Sequence, residues 1–252
     1  PFTFNTQTSI NLADDEELMT LMAQAGFTNL FVGIETPDET SLTECNKSQN
    51  KKRNLVESVK ILQRYGMQVM AGFIIGFDSD TPSIFQRQID FTQESGIITA
   101  MVGLLQAPYG TPLYQRMKSA NRLIDEMSGD NMDGTSNIIP LMDYQVLHAG
   151  YRRILAEIYS PRLLYQRIRT FLQEYQPVRQ SVHLEYREIL AFFKSILKLG
   201  ILGVERFEYW KLIIWTLRNH PAKFPLAITL TIYGYHFRKV CQLHVLPQPL
   251  VR

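Results

Sequence analysis

Cysteine is scarce in this chain: two of 252 residues, Cys45 and Cys241, stand far apart. That excludes a disulfide framework and fits a reducing compartment such as the cytoplasm. Long hydrophobic runs are also missing. The nearest candidates, Leu212 to Leu217 and Phe224 to Tyr235, are broken by Arg218, His220, Pro221 and Lys223, so no stretch spans a bilayer uninterrupted. No secretory signal pattern opens the sequence. All five histidines, His148, His183, His220, His236 and His244, lie in the second half and none pair at metal-ligand spacing. No dense Lys/Arg run or RNA-binding motif is present, which argues against a nucleic-acid partner.

The net charge is +2, but the halves differ. Acidic residues exceed basic ones from Pro1 to Pro140, and basic exceed acidic by about two to one from Leu141 to Arg252. Three accounts fit: a basic half docked on the acidic half with its remaining charges solvated, attraction to anionic lipid headgroups, or, least supported, nucleic acid.

Three apolar runs punctuate the first half: Leu30 to Thr36 (LFVGIET), Val69 to Phe77 (VMAGFIIGF) and Gly103 to Pro112 (GLLQAPYGTP). Short apolar runs bounded by Gly or Pro read as buried parallel strands. Helical patterns lie between them, over Asn11–Ala25, Lys51–Tyr65 and Ser83–Glu94, each stopped by a glycine, Gly26, Gly66 or Gly96. Asn11 is the expected N-cap of the first. This strand–helix rhythm predicts a parallel α/β sheet with chemistry at the carboxyl ends of its strands. A further helix is expected at Leu113–Ile124 and a polar loop at Met127–Ser136. The pattern is then helical over Gln145–Ser160, Pro161–Tyr175, Val182–Leu199, Val204–Asn219 and, less clearly because of the β-branched run Ile228 to Ile232, Phe224–Cys241. The expected division is 1–140 and 141–252.

The succession GIET, GFIIGF and APYGTPLY resembles the second half of a radical S-adenosylmethionine (SAM) barrel. The similarity is to the cobalamin-binding subgroup with a helical C-terminal extension, hopanoid-methylase-like proteins among them. The resemblance implies a partial TIM-like (βα) barrel, entered at Phe4–Thr8 as its third strand, followed by an all-helical domain. It implies SAM as ligand, with a [4Fe–4S] cluster and cobalamin in the parent enzyme. Those proteins hold the cluster on C-x3-C-x2-C; two distant cysteines cannot supply three ligands. The family's glycine-rich motif after the second strand is missing too. The expectation is therefore a C-terminal part of a longer enzyme, inactive alone, whose other half carries the cluster and cobalamin sites.

On the same resemblance Gln7, Glu35, Gly72, Ile74, Gly76, Gln106 and Ala107 are candidates for the SAM site, and Tyr109 and His148 for the substrate pocket. Each has an ordinary reading beside it. Glu35, a carboxylate after an apolar strand, is costly to bury unpaired and can simply meet a lysine. Gly72 can relieve crowding and Gly76 can make a turn. Gln7 can face solvent. The Gln106–Pro112 turn can be structural. Cys45 reads as an unremarkable thiol, and Asn46–Lys47 receives no catalytic role. Trp210, Ile213, Ile214, Leu217, Phe224 and Leu226, fringed by Lys211, Arg218 and Lys223, read as a helix pair packed on the barrel or as a surface meeting membrane or a lipid-like substrate. The function expected is radical SAM chemistry such as methylation of a lipid or other hydrophobic small molecule by a cytoplasmic protein, with peripheral membrane contact a further option. Against it stand a non-catalytic remnant or scaffold whose basic helical tail binds a partner or membrane, and an unrelated βα-barrel enzyme.

Overall fold

The computed structural model describes residues 2–124, 133–177 and 186–244. Four strands, β1 (Phe4–Thr8), β2 (Phe27–Glu35), β3 (Gln68–Ile75) and β4 (Ala100–Leu104), form one parallel sheet in the order β1-β2-β3-β4. Between them run α1 (Glu16–Ala25), α2 (Glu39–Glu44), α3 (Leu55–Arg64) and α4 (Ser83–Ser95). Leu30, Val32 and Ile34 of β2, with Val69, Ala71 and Phe73 of β3, are buried in one core with Met19, Val59, Leu62, Ile84 and Ile89 of these helices. The alternate positions Phe31, Gly33, Met70, Gly72, Ile74 and Met101 are only half-buried. These helices therefore cover one face of the sheet, and the other face, equally apolar, is left partly open.

Local chemistry explains most boundaries. Gly26 and Gly96 end α1 and α4 in the left-handed conformation (φ 98° and 72°), as expected of glycine stops. Asn11 is not a cap: Ile10–Asp14 is a 3-10 turn, and Asp15 caps α1 by accepting from Leu18 N–H at 2.9 Å. The α3 cap is Asn54, so the helix starts after Lys51–Arg53. The third motif corrects the expectation most. Its strand is Ala100–Leu104, and Gln106–Thr111 is loop leading to α5 (Pro112–Ser119).

The second half is helical: α6 (Tyr144–Ile158), α7 (Pro161–Glu174), α8 (Tyr186–Ser195), α9 (Arg206–Asn219) and α10 (Phe224–His244). The α8 axis continues as a π-helical stretch, Ile196–Ile201. Positions 182–185 of the expected helix and 127–132 of the expected loop lie outside the described residues. The β-branched run Ile228 to Ile232 is helical because Ala227, Ile228 and Leu230 bury against Leu164, Ile168, Leu212 and Ile213 in a second core. The first core does not stop at residue 140: Leu147, Tyr151, Ile154 and Ile158 of α6 belong to it. Ion pairing does not follow the charge asymmetry either. Among the described residues the salt bridges joining the first 140 residues to the rest are Lys60 and Arg64 with Glu174, whose cations come from the acidic half.

Two buried side chains hold the helical layer against β4. Tyr159 accepts a hydrogen bond from Ala100 N–H (3.2 Å) and donates one to Ala100 C=O (2.9 Å), occupying the outer edge of the sheet where a further strand would pair. Burial pushes its hydroxyl up to about 12, so it stays a donor at any ordinary pH. Arg167, wholly buried, stacks over the Tyr159 ring at 5.8 Å and donates to Gln93 Oε1 at 2.6 Å. Replacing Tyr159→Phe orphans both Ala100 backbone groups, and we expect a loss of about 2 kcal/mol, read from the urea unfolding midpoint.

Candidate functional site at the strand ends

The open face ends in a cleft of about 270 Å³ at the carboxyl ends of all four strands, lined by Gln7 of β1, Phe31, Gly33 and Glu35 of β2, Gly72 and Ile74 of β3, Met101 and Gly103 of β4, and Gln106 and Pro108 beyond. Register makes its floor flat: Gly33 pairs with Gly72, and Ile74 with Gly103. The bare glycines are already in use. A Cβ on Gly33 would lie 2.5 Å from Glu35 Oε1 and 3.0 Å from Lys47 Nζ, and one on Gly72 would lie 3.1 Å from the Phe31 ring. The carboxylate, the ammonium and the ring therefore lie down on the sheet because no side chain holds them off.

Glu35 is positioned by backbone strain. Its φ is +65°, and the β2–β3 register slips between Gly33 and Glu35. A non-glycine residue in this region costs of order 1 kcal/mol or more and persists only where its surroundings hold it. The holder is Asn50, 2% exposed, whose amide donates to the carbonyls of Gly33 (3.1 Å) and Ile34 (2.9 Å). The bulge turns Glu35 over Gly33, where Lys47 Nζ meets Oε1 at 2.8 Å. Lys47 and Asn50 are the residues sequence reasoning missed. Lys47 was visible only as half of an Asn–Lys pair, and nothing in the sequence marks Asn50.

Of the residues expected around SAM, the cleft brings together Gln7, Glu35, Gly72, Ile74 and Gln106. Gly76 and Ala107 stand outside its lining. Gly76 makes the turn after β3 at φ 96° and donates to Asp80 Oδ2 at 2.8 Å. Ala107 is buried and clasped by the Asn137 side chain through both its N–H (2.8 Å) and its C=O (3.0 Å). The two substrate-pocket candidates also lie off the lining. Tyr109 is 87% exposed with its ring edge-on to Tyr114. His148, on α6, has its ring 4.1 Å from that of Tyr144 and tilted 40° to it; burial and then the nearby Arg152 lower its pKa.

A second cleft of about 320 Å³ opens beside the first, between Cys45, Asn46, Phe77, Leu105, Leu113 and Arg116. Its wall is pinned by Glu44, which accepts from Ser79 N–H (3.1 Å) and Oγ (3.0 Å) and from Arg116 (2.8 Å), and by the two-pronged pair of Arg122 with Asp78 (2.7 and 2.9 Å). The described residues do not fit a [4Fe–4S] cluster. They bring no three His, Cys, Asp or Glu side chains together for a metal, and Cys241 is buried in the first core while Cys45 is half-buried beside the second cleft.

Residues 111–246 match the family described as Domain of unknown function (DUF4070). The chain belongs to that family. It is 36% identical over 241 residues to an uncharacterized methyltransferase of Synechocystis sp., covering 94% of this chain and 45% of that protein. It is 32% identical to the hopanoid C-2 methylase of Rhodopseudomonas palustris, covering 81% of this chain and 40% of that protein. It is 29% identical to the bacteriochlorophyllide d C-12(1)-methyltransferase of Chlorobaculum tepidum, covering 48% and 27%. Among solved structures, the cobalamin-dependent S-adenosylmethionine radical enzyme OxsB with aqua-cobalamin and S-adenosylmethionine bound aligns over 94% of this chain and 46% of that one, at 15% identity and a TM-score of 0.43. The hopanoid C-2 methylase and the bacteriochlorophyllide methyltransferase among the curated relatives bear out the resemblance carried by GIET, GFIIGF and APYGTPLY. The chain spans less than half the length of the curated relatives it matches.

Two predictions follow from the geometry. Gly33→Ala brings a methyl against the Glu35 carboxylate and the Lys47 ammonium, the free ends of two flexible side chains that shift aside; we expect destabilisation of about 1 kcal/mol or less, measured by thermal unfolding. The Arg122 guanidinium holds the Asp78 carboxyl below its ordinary 3.8. A carboxylate with a lowered pKa in the fold adds stability above its unfolded value, and that stability disappears as pH falls through the folded one. Asp78→Asn should therefore cost about 1 kcal/mol near neutral pH and nothing once the pH is well under 3.8, read from paired melts across pH.

Proposed function

We propose that this chain is the strand-end half of the SAM site, with the helical cap, of a cobalamin-type radical SAM enzyme that methylates a lipid or other hydrophobic metabolite. On this reading the open four-stranded sheet is part of a TIM-like barrel, and the other strands, the cluster and the cobalamin belong to the rest of a longer enzyme. Reductive cleavage of SAM supplies the radical chemistry; this chain's residues hold and orient. The single supporting observation is the glycine-floored cleft with Glu35 and Lys47 laid across Gly33. The cleft admits a ring against its apolar walls Phe31, Ile74 and Met101. Glu35 accepts hydrogen bonds from the hydroxyls or ammonium of the bound molecule, and Lys47 keeps the carboxylate aimed. Gln7 and Gln106, at either side of the cleft, supply amide groups for its polar edge. The hydrophobic substrate class is favoured by the names of the two characterised relatives, a hopanoid methylase and a bacteriochlorophyllide methyltransferase.

Glu35→Gln in the full-length enzyme, assembled anaerobically, should weaken SAM binding by an order of magnitude or more, the worth of hydrogen bonds to a charged group. Equilibrium dialysis measures it, and unchanged affinity would remove Glu35 from the site. The same preparation should form 5′-deoxyadenosine from SAM, whereas these 252 residues alone should form none. Turnover by the short chain would overturn the division of labour.

A further inference from the structure

The helical layer carries an outward surface that the cleft chemistry leaves unexplained. Along α8 and its π-helical continuation, Tyr186, Leu190, Phe193, Leu197 and Ile201 recur at helical spacing and are 41–76% exposed. Along α9, Phe207, Trp210, Ile214 and Leu217 do the same at 42–68%. The bend between them ends in Leu202 and Val204, exposed to 73% and 81%. Trp210 Nε1 donates to Gly200 C=O at 2.9 Å, beside Ile201, so the two stripes meet there. The set expected from the sequence thus divides: Trp210, Ile214 and Leu217 face outward, while Ile213, Phe224 and Leu226 pack into the second core.

Cations flank both stripes one position round the helix: Lys194 and Lys198 on the first, Arg206, Lys211 and Arg218 on the second, all exposed. The neighbouring acids whose side chains are described, Glu205 and Glu208, are already engaged. Glu205 is buried against Arg238 at 2.7 Å, and Glu208 takes Lys211 at 2.8 Å and Arg169 at 3.8 Å. Lys194, Lys198, Arg206 and Arg218 have no carboxylate partner among the described residues. Among those residues no helix is long and apolar enough to cross a membrane. Exposed apolar stripes with cationic margins and an amphipathic Trp are the features of a hairpin lying in an interface rather than spanning it.

We propose that the α8–α9 hairpin seats on an anionic lipid surface, its stripes and Leu202–Val204 tip entering the headgroup boundary and its lysines and arginines meeting lipid phosphates. A water-exposed patch of this kind is rare on a soluble monomer. Lys198 lies over the Tyr235 ring and Arg206 over the Phe207 ring, each at 5.0 Å, so no carboxylate offsets these two cations among the described residues. The positive margin selects an anionic surface over a second copy of the same cationic hairpin, which would be repelled. The surface lies on the helical layer and is independent of the SAM reading.

Full-length protein is sedimented with phosphatidylcholine vesicles containing about a third phosphatidylglycerol, a composition giving a negative surface potential, and with phosphatidylcholine alone. The expected result is co-sedimentation with the anionic vesicles, weakened by salt. The paired change Leu202→Asp with Val204→Asp should lower partitioning more than tenfold, and Lys194→Gln about fivefold. All three sites are exposed, so an unchanged melting temperature confirms the fold. Failure to bind anionic vesicles, equal binding by the tip variant, or self-association in the ultracentrifuge that the tip variant abolishes would each overturn the proposal, the last in favour of a contact between copies.

Discussion

A parallel strand has two faces, and among the described residues helices cover one face of this sheet. Every second residue of β2 and β3, from Leu30 to Ile34 and from Val69 to Ile75, is sealed beneath α1, α3 and α4. The intervening residues, Phe31, Gly33, Met70, Gly72 and Ile74, are as apolar as those of a face normally buried. The placement of the cleft follows from this. With no helix on the inner face among the described residues, the strand ends stay accessible there. With glycine at Gly33 and Gly72, there is room on the sheet surface for side chains to lie flat.

The Glu35–Lys47 pair shows how a site is assembled from weakly informative residues. A bulge, a left-handed residue and one buried asparagine act together: Asn50 satisfies the two carbonyls that the bulge turns outward, and that fixes the direction of the carboxylate. Lys47 arrives from the far side of α2. The ion pair is partly shielded, with side-chain exposures of 32% and 15%, so geometry more than Coulomb energy is what it contributes.

Strand positions, glycine stops and the helical character of the second half could be read from the chain, because apolar period and helix punctuation are local properties. So could five residues of the cleft, because strand ends in a parallel sheet necessarily converge. What could not be read depends on contacts distant in sequence. The strand in the third motif starts at Ala100, ahead of its most conspicuous residues, since pairing with Ala71–Ile75 decides it. Ala107 turns inward because Asn137, thirty residues on, holds both its backbone groups. The helical state of Ile228 to Ile232 is set by burial against α7 and α9, against its intrinsic preference.

The α8–α9 hairpin is apolar on its inner side, where Leu199, Leu212 and Ile213 join the second core, and on its outer side as well. Its inner side carries polar contacts: Ser195 Oγ and Tyr209 Oη at 2.9 Å, and the Glu205–Arg238 pair, of which Glu205 is 2% exposed. Its outer side carries leucine, phenylalanine, isoleucine and tryptophan. A buried ion pair is no better for stability than a well-packed apolar replacement, but it tolerates few geometries. Removing either partner would leave a charge stranded in the core. The interior ion pair therefore fixes where the hairpin stands, Leu199, Tyr209, Leu212 and Ile213 supply its burial in the second core, and a further set of apolar residues is turned outward. Each of those side chains forgoes about 1.5–3 kcal/mol of burial free energy while in water. Such a distribution is costly for a surface that stays wet and coherent for one that is covered in use.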